Sequence, residues 1–418
     1  MEFIIKKIIY TIKNHGLFGL CKEFYFSLIA IPFVFIILLI NPWIKIRLIK
    51  LYSWRIGHFG SNVHLMLCFL QQYKDQNCYK RFYYADPYKI CNKQLYKMWK
   101  RVLFIVPYRR ICFQIDRLLT VLQKEKYLDD PVKQFEYSSH GYDQWGFYHT
   151  LRAQKPYLKF TYKEIKKGEF LLQKLGITQG SRFICLLVRD SKYLQIQMNN
   201  DGSYDRYRDA NIVNYNEAIT LLTNKGYYVV RMGKVVDKKL DLKNNLVIDY
   251  ANHPLRSDFL DIFLAAHCYF FISSSTGLDC IPRILGRPLL LTNYPLSDFN
   301  FTNYDMYIPK LVRSINEDRL LTFNEIFLIF HAYKKQGVRG PKMINHKWEF
   351  IENTPDDITN AVEDMVHYLS NQTITNEEKI LQSKFWEYFP LPLPIPYDEI
   401  TKLRVSPRFL KKYYSLLQ

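Results

Sequence analysis

Short apolar runs alternate with longer amphipathic stretches in the second half of the chain. The runs lie at 183–188, 227–231, 269–272 and 288–292, and helix-like stretches lie between them at 214–224, 257–266 and 278–285. Strands that are apolar along most of their length must be covered on both faces, which is typical of a parallel sheet between helices. The alternation therefore predicts an α/β fold.

A similar block precedes this one. It has strand-like runs at 49–56, 80–85 and 102–106, and a charged helix is predicted after it, at 162–175. A chain of 418 residues can bury more than one core. We therefore predict four segments, with boundaries at 1–45, 46–160, 161–370 and 371–418. A cleft between the two central domains would be a common place for a ligand.

An uncharged, mostly apolar stretch runs from residue 24 to residue 44. As a helix, its 21 residues would span about 31 Å, close to the hydrocarbon thickness of a bilayer. Four lysines precede it, and two lysines and two arginines follow it, so the positive-inside rule gives no orientation. Pro32 near its middle favours a kinked monotopic anchor over a span. A buried core helix is the alternative interpretation.

The chain is basic, with 58 Lys and Arg against 39 Asp and Glu and a formal charge of +19. This charge favours an anionic partner such as phosphate, nucleic acid or acidic lipid. Nucleic-acid binding is not expected, because the charges are dispersed and no recognition motif is present. No two of the eight cysteines are separated by only two residues, which argues against zinc and redox motifs. Several lie inside apolar runs, among them Cys185 and Cys268, as reduced thiols do, so we expect a reducing compartment.

Two places could bind an anion. Arg189 and Asp190 directly follow the strand predicted at 183–188, at the carboxyl end where open α/β sheets bind ligands. An ion pair within a loop would explain them equally well. The small residues 273–277, Ser-Ser-Ser-Thr-Gly, come between a strand and a helix, so their N–H groups and hydroxyls could hold phosphate. Simple helix capping is the alternative there.

His58 is the candidate general base. It lies in Arg55-Ile-Gly-His58-Phe-Gly60, directly after a predicted strand, where glycines allow a ligand to approach the backbone. Histidine can move a proton near neutral pH. A packed or capping histidine is the simpler interpretation of this segment taken alone.

Nine short strings, in order, resemble a family of bacterial glycosyltransferases with an N-terminal Arg-Ile-Gly-His motif. More distantly they resemble the α1,6- and protein O-fucosyltransferase group, which has the GT-B architecture. The strings are Arg55-Ile-Gly-His58, Val188-Arg-Asp190, Tyr207-Arg-Asp209, Val230-Arg-Met-Gly233, Asp249-Tyr-Ala-Asn252, Ser257-Asp-Phe-Leu-Asp261, Ser273-Ser-Ser-Thr-Gly277, Gly286-Arg-Pro288 and Val405-Ser-Pro-Arg-Phe-Leu410.

The resemblance implies two Rossmann-like domains that face a cleft: an acceptor domain over 46–160 and a nucleotide-sugar domain over 161–370. The segment 1–45 would anchor the chain to a membrane, and the helical tail 371–418 would pack back on the N-terminal domain. Leu187 stands where the fucosyltransferase group usually has a His, so the base of the nucleotide stays open.

The resemblance also implies site residues. Arg189 would contact the diphosphate, Asp261 the base, and residues 275–277 the phosphate. Independently of the resemblance, we expect His58 to be the base because it would face the cleft from the other domain, with Asp143 in reserve. The full set of expected donor-binding residues is Arg189, Asp190, Arg208, Arg231, Gly233, Asp258, Asp261, Ser274, Ser275, Thr276 and Gly277. Structural ion pairs would explain Arg208 and Arg231 equally well.

The expected function is glycosyl transfer from a nucleotide sugar to a cell-surface glycan or lipid-linked precursor, at the cytoplasmic face of the bacterial inner membrane. No convincing Asp-x-Asp lies at a strand end, so we expect a metal-independent site and no cofactor besides the donor substrate. The alternative is a non-catalytic nucleotide-sugar or glycan-binding module of a polysaccharide biosynthesis complex.

Overall fold

The computed structural model describes residues 2–72, 79–128, 130, 132–133, 156–192, 195–196, 203–296, 305–335, 347–371, 373–387 and 404–418. The chain divides into two compact units, Met1–Asp143 and Gln144–Gln418. Helices and parallel strands occur in both, so the prediction of an α/β fold is confirmed.

A small parallel sheet lies in the first unit. Its strands are β1 (Lys45–Leu51) and β2 (Tyr79–Ala85), and one further bridge joins Tyr83 to Ile105. The strand predicted over 102–106 is reduced to this bridge. Among the described residues, the sheet is thus smaller than the Rossmann-like sheet expected over 46–160.

The strand predicted over 49–56 differs in its bounds. It begins at Lys45 and ends at Leu51, after which the chain turns into a π-helical segment, His58–Asn62. The Ser53 hydroxyl ends the strand locally, because it accepts a hydrogen bond from the Asp86 N–H at 2.9 Å and donates one to the Lys89 carbonyl at 3.0 Å. His58 consequently lies in a helical turn rather than at a strand end.

Helices pack around this sheet. They are α1 (Glu2–Ile40), α2 (Val63–Gln72), α3 (Lys93–Lys100), α4 (Arg109–Leu122) and α5 (Lys124–Tyr127). One buried cluster joins α1 to α4 and the strands, and it includes Ala30, Leu48, Tyr84 and Ile115.

The first helix has a break near its start. Gly16 has a φ of 66°, a left-handed conformation that favours glycine, so two helical parts meet there. The part from Gly16 to Ile40 is long and apolar enough to cross a membrane, judged by length and composition.

The second unit contains a seven-stranded parallel sheet in the order β12-β8-β7-β6-β3-β4-β5. The strands are β3 (Phe183–Leu187), β4 (Tyr228–Arg231), β5 (Val247–Ile248), β6 (Phe271–Ser273), β7 (Leu289–Tyr294), β8 (Met306–Pro309) and β12 (Arg404–Val405). Counted from β3, the first six strands have the doubly wound Rossmann order 3-2-1-4-5-6. The parallel sheet predicted from the apolar runs is confirmed.

This order creates a switch point between β3 and β6. The chain runs outward from β3 to β4 and β5, and then returns to the other side of β3 to form β6. Leu187 and Ser273 are register partners at the carboxyl ends of these two strands. In open sheets of this order, ligands bind in the crevice outside the carboxyl ends of the two strands at the switch point.

Helices and a small antiparallel sheet complete this unit. The helices are α6 (Tyr162–Lys174), α7 (Asn216–Asn224), α8 (Asp258–His267), α9 (Cys280–Ile284), α10 (Phe323–Lys335), α11 (Pro355–Asn371), α12 (Asn376–Glu387) and α13 (Pro407–Lys412). The antiparallel sheet has the order β10-β9-β11, with β9 at Leu311–Ser314, β10 at Arg319–Leu320 and β11 at Trp348–Ile351.

The described part of the tail belongs to the second unit. β12 pairs in parallel with β8, and α13 packs on α11 and α12. The side chain of Gln382 holds both backbone groups of Val405, at 2.7 Å and 3.0 Å. The tail expected to pack on the first domain therefore makes these contacts as an edge of the second.

Candidate functional site

The loops after β3 and β6 meet at the switch point. The Ser274 N–H donates to the Leu187 carbonyl at 3.1 Å, and the Arg189 N–H donates to the Ser274 hydroxyl at 2.7 Å. Because Ser274 is fully buried, this hydroxyl holds the first residues of both loops in one place. Sequence position alone put Arg189 and the serine turn at strand ends, and the strand order brings them together.

The Arg189 side chain pairs with an acidic residue that the sequence analysis gave no role. Its Nε lies 3.2 Å from Asp209 Oδ1, and the Ser191 hydroxyl donates to the other oxygen of the same carboxylate. Burial raises the pKa of Asp209, opposed by its contacts with Ser191 and Arg189. Arg189 therefore forms the kind of loop ion pair that the sequence analysis gave as the alternative. This pair holds its guanidinium at the crevice.

Arg208 joins the other loop. Its Nη2 donates to both the carbonyl and the hydroxyl of Ser275, each at 2.9 Å. Ser275 has a φ of 59°, an uncommon conformation for a residue with a side chain, and the two hydrogen bonds hold it there. Arg189 and Arg208 therefore approach the serine turn from the same connecting segment.

A third cation lies beside them. Lys310 follows β8 and is 3% exposed, and its Nζ donates to the Asp209 carbonyl at 2.6 Å. Burial lowers the pKa of Lys310, while the charges of Glu352 and Asp209 oppose that shift. The sequence analysis missed Lys310, although the apolar run 306–309 before it was a signal for a further strand.

The serine turn is only partly available to a ligand. Asp279 Oδ2 accepts the Thr276 N–H at 3.0 Å and the Ser273 hydroxyl at 3.3 Å. Burial raises the pKa of Asp279, and the nearby Arg283 opposes this. Thr276 is half-buried and Gly277 exposed, so this end of the turn faces outward. The Asp279 carboxylate therefore accepts the hydrogen bond from the Thr276 N–H, which the sequence analysis expected a phosphate to accept.

A cavity of about 460 Å³ adjoins the tip of β3. This volume is within the range of about 300–1,000 Å³ found for small-molecule sites. Asp190 lines it and stabilises its wall, accepting the Lys192 N–H and the Asp237 N–H, each at 3.0 Å. Charged side chains dominate the rest of the lining, which includes Lys192, Arg206, Asp209, Lys238 and Glu352.

Arg231 and Gly233 have structural partners. Arg231 is 1% exposed, and its guanidinium pairs with Asp249 Oδ1 at 3.1 Å and donates to the Lys238 carbonyl at 2.9 Å. Gly233 has a φ of 155°, and a Cβ there would lie 2.7 Å from a side-chain atom of Val236. Internal packing therefore accounts for the glycine, and an ion pair accounts for the arginine.

Asp258 and Asp261 lie in the first turn of α8, which the Ser257 hydroxyl caps. Tyr250 OH donates to Asp261 Oδ1 at 2.8 Å, and Arg256 Nη1 lies 3.1 Å from Asp261 Oδ2. Burial is the main cause that raises the pKa of Asp261 to about 6. Asp261 was expected to contact the base of the nucleotide. Both of its carboxylate oxygens already have partners within the protein.

His58 lies in the first unit, and its ring is near those of Tyr52 and Trp54. Burial and the charge of Arg55 lower its pKa, so the ring is neutral at pH 7. Its Nδ1 is 3.3 Å from Asn62 Nδ2. Since an amide nitrogen can only donate, Nδ1 accepts here and the ring proton lies on Nε2. Asp143, the reserve base, lies outside the described residues.

Among the residues that the structure describes, no group of three or more His, Cys, Asp and Glu side chains could hold a metal ion.

No protein-family model and no curated protein matches the chain. Solved structures are similar to it, among them the following three. One is the ADP-heptose lipopolysaccharide heptosyltransferase II of E. coli, with a TM-score of 0.41 and 11% identity over 78% of this chain and 100% of that one. Another is E. coli heptosyltransferase WaaC with ADP, with a TM-score of 0.32 and 13% identity over 70% and 98% of the two chains.

The third is a "putative UDP-N-acetylglucosamine 2-epimerase" from Listeria monocytogenes, with a TM-score of 0.27 and 9% identity over 79% of this chain and 97% of that one. TM-scores this low assign neither a fold nor an activity. The doubly wound order of the second unit and the residues at its switch point carry the functional interpretation instead.

Proposed function

We propose that this protein is a GT-B glycosyltransferase that binds a nucleotide-sugar donor in its second unit. The observation that carries the proposal lies at the switch point of a doubly wound sheet, where the Arg208 guanidinium binds Ser275 and the Arg189 backbone N–H binds the Ser274 hydroxyl. Two guanidinium groups from this segment, Arg208 at the buried Ser275 hydroxyl and Arg189 paired with Asp209, are suited to a pyrophosphate, because guanidinium groups bind phosphate oxygens in pairs.

The same residues would stabilise the leaving group. A nucleoside diphosphate gains negative charge as the glycosyl bond breaks, and preorganised cations lower the energy of that state. The Arg189 guanidinium would exchange Asp209 for phosphate oxygens on binding, and Lys310 would add a nearby positive charge. This arrangement supports a transferase that uses no metal and no cofactor besides the donor.

His58 is the proposed base for the acceptor hydroxyl. A neutral imidazole can take up a proton, and the lowered pKa keeps the ring neutral at pH 7. A base acting through Nδ1 requires that the Asn62 amide release this atom. That same hydrogen bond favours the alternative, a nucleotide-sugar or glycan-binding module of a polysaccharide biosynthesis complex with no turnover.

The acceptor is proposed to be a cell-surface glycan or a lipid-linked precursor. The apolar part of α1 supports attachment to a membrane, where a lipid-linked acceptor would be available. Because bacterial donor sugars are cytosolic, we place the protein at the cytoplasmic face of the inner membrane.

Donor binding is tested with thermal shifts of the full chain against a panel of UDP, GDP, ADP and CDP sugars. A ligand at about 100 times its Kd stabilises the native state by about 2.7 kcal/mol. Arg189→Ala should weaken binding of the active donor by tenfold or more, since a charge-assisted pair contributes about 1.5–3 kcal/mol. Arg313→Ala removes an equal charge at an exposed side chain of β9 and should leave binding unchanged.

The absence of a shift with every nucleotide sugar would contradict the proposal. The melting temperature of each variant without ligand is the control for folding. His58→Ala then separates the two functions: an enzyme loses turnover and keeps donor binding, whereas a binding module keeps both its donor affinity and its glycan affinity.

A further inference from the structure

Among the described side chains of α1, which begin at Gly16, the buried ones lie along one side. Ala30 and Val34 are 0% and 5% exposed, and they pack in one cluster with Ile115 and Leu119 of α4. A transmembrane helix surrounded by lipid would not pack these positions against a helix such as α4. α1 is therefore docked lengthwise on the first unit over its central turns.

Two polar side chains of this part of α1, Glu23 and Ser27, are on the packed side. Tyr88 OH donates to Glu23 at 2.7 Å, and the Gln114 amide donates to the other oxygen of the same carboxylate. The Ser27 hydroxyl lies 3.2 Å from Gln114 Oε1 and accepts from Arg117 at 3.1 Å. These hydrogen bonds attach the helix to its neighbours through groups that a bilayer interior would not satisfy.

The opposite side of α1 is apolar and exposed. At 100° per residue, its positions fall on the arc facing away from Ala30 and Val34. They include Phe18, Phe24, Leu28, Phe35 and Leu39, each at least half exposed. An apolar strip of this length needs a cover, since exposed patches of such size mark interaction sites.

We infer that α1 lies in the plane of the membrane surface, with this strip in the lipid, and does not cross the bilayer. The reason is α4, whose 14 residues include Arg109, Arg110, Asp116 and Arg117 and cannot enter hydrocarbon. A crossing helix would have to leave α4 and take Glu23 and Ser27 into the lipid. The geometry is that of an interfacial helix.

The charge of the first unit selects acidic lipid as the partner. Residues 1–143 contain 22 Lys and Arg against 10 Asp and Glu. Lys22 is exposed on α1 at the edge of the strip, and the ring of Trp43, 76% exposed, directly follows the helix. Basic side chains are attracted to anionic headgroups, and tryptophan favours the interface. This inference rests on the membrane attachment proposed above, and not on the donor site.

The first test is sedimentation of the full chain with phosphatidylcholine vesicles, with and without phosphatidylglycerol. Binding should require the acidic lipid and weaken as salt is raised. Phe24→Asp and Phe35→Asp should each reduce the bound fraction by about tenfold, because each places a carboxylate in the lipid-facing strip. Phe170→Asp, a change at a 55% exposed ring of the second unit, is the matched control and should bind like the wild type.

Equal binding of these variants and the control would overturn the inference. So would self-association of the chain through the strip without lipid, seen as a dimer by light scattering that Phe35→Asp disrupts. Donor thermal shifts measured on the same variants keep this result separate from the proposed function, since Phe35→Asp should leave them unchanged.

The second test distinguishes an interfacial helix from a spanning one. A protease-cleavable tag is fused before the first residue, and a cleavage site is inserted after Trp43. The protein is then bound to sealed vesicles, and protease is added outside. An interfacial helix leaves both sites on the outer side, so both are cut. Protection of one of the two sites would show a span and overturn the inference.

Discussion

At the scale of single residues, burial decides which charged groups of the site titrate in the physiological range. The Asp261 carboxyl is 14% exposed and lies between Tyr250 OH and Arg256. Its pKa rises from 3.8 to about 6, chiefly because the charged form loses water. The folded protein therefore keeps a proton here at pH values where the unfolded chain has lost it.

This shift predicts a pH-dependent cost to folding. Since the folded pKa is the higher one, stability falls as pH rises from about 4 to 6, and the cost is complete above pH 6. Asp261→Asn has no such titration and keeps an acceptor for Tyr250. We expect the variant to gain on the wild type by up to about 3 kcal/mol between pH 4 and pH 7, at about 1.36 kcal/mol per pKa unit.

Urea unfolding of both proteins at several pH values measures this difference. Asp318→Asn is the control, because Asp318 is 86% exposed and asparagine tolerates its φ of 47°. A stability difference that stays constant from pH 4 to pH 7 would show that Asp261 is not the titrating group.

At the scale of elements, the packing of α6 on α8 determines where the first turn of α8 lies. Gly168 is buried in α6, and a Cβ at this position would lie 2.0 Å from Cζ of Phe263 in α8. The glycine therefore allows the two helices to approach closely. Asp258 and Asp261 lie on the same helix as Phe263, so their position depends on this contact.

Gly168→Ala tests the contact. Helix propensity alone would favour alanine by about 1 kcal/mol. Overpacking against Phe263 should outweigh this and lower the free energy of unfolding by about 1–3 kcal/mol net. Lys163→Ala, at an exposed position of the same helix, should change stability by less than about 0.5 kcal/mol. A stabilised Gly168→Ala protein would mean that the helices are further apart than described.

At the scale of the whole molecule, the last residues of the chain complete the second unit. Val405 forms the edge strand β12, and Val405, Phe409 and Leu410 are at most 1% exposed. The tail thus covers apolar surface beside β8 although it is distant from β8 in sequence. It should unfold together with this sheet.

Phe409→Ala tests this. Truncating a fully buried phenylalanine costs about 3–5 kcal/mol, so hydrogen exchange in β8 and α13 should become faster by two orders of magnitude or more. Exchange in β1 should not change. Lys411→Ala, whose side chain is 70% exposed, is the control. Equal loosening of β1 would show that the tail also stabilises the first unit.

Local patterns predicted the larger elements well. The apolar runs at 183–188, 227–231 and 288–292 became strands within one or two residues of their predicted ends, because a long apolar run must be buried wherever it lies. Strands of two residues, such as Val247–Ile248 and Arg404–Val405, are too short to show a hydrophobic pattern from which a strand could be predicted. Pairing with a neighbour defines them.

The sequence by itself determined the α/β class, the parallel sheet, and the location of Arg189 and the serine turn at strand ends, because these follow from local hydrophobic pattern. Only the tertiary structure decided that β3 and β6 are neighbours, that Asp209 pairs with Arg189 and that Asp279 occupies the Thr276 N–H. It also decided which side of α1 is packed. A uniformly apolar helix carries no periodicity, so the burial of one side depends on contacts with residues far along the chain.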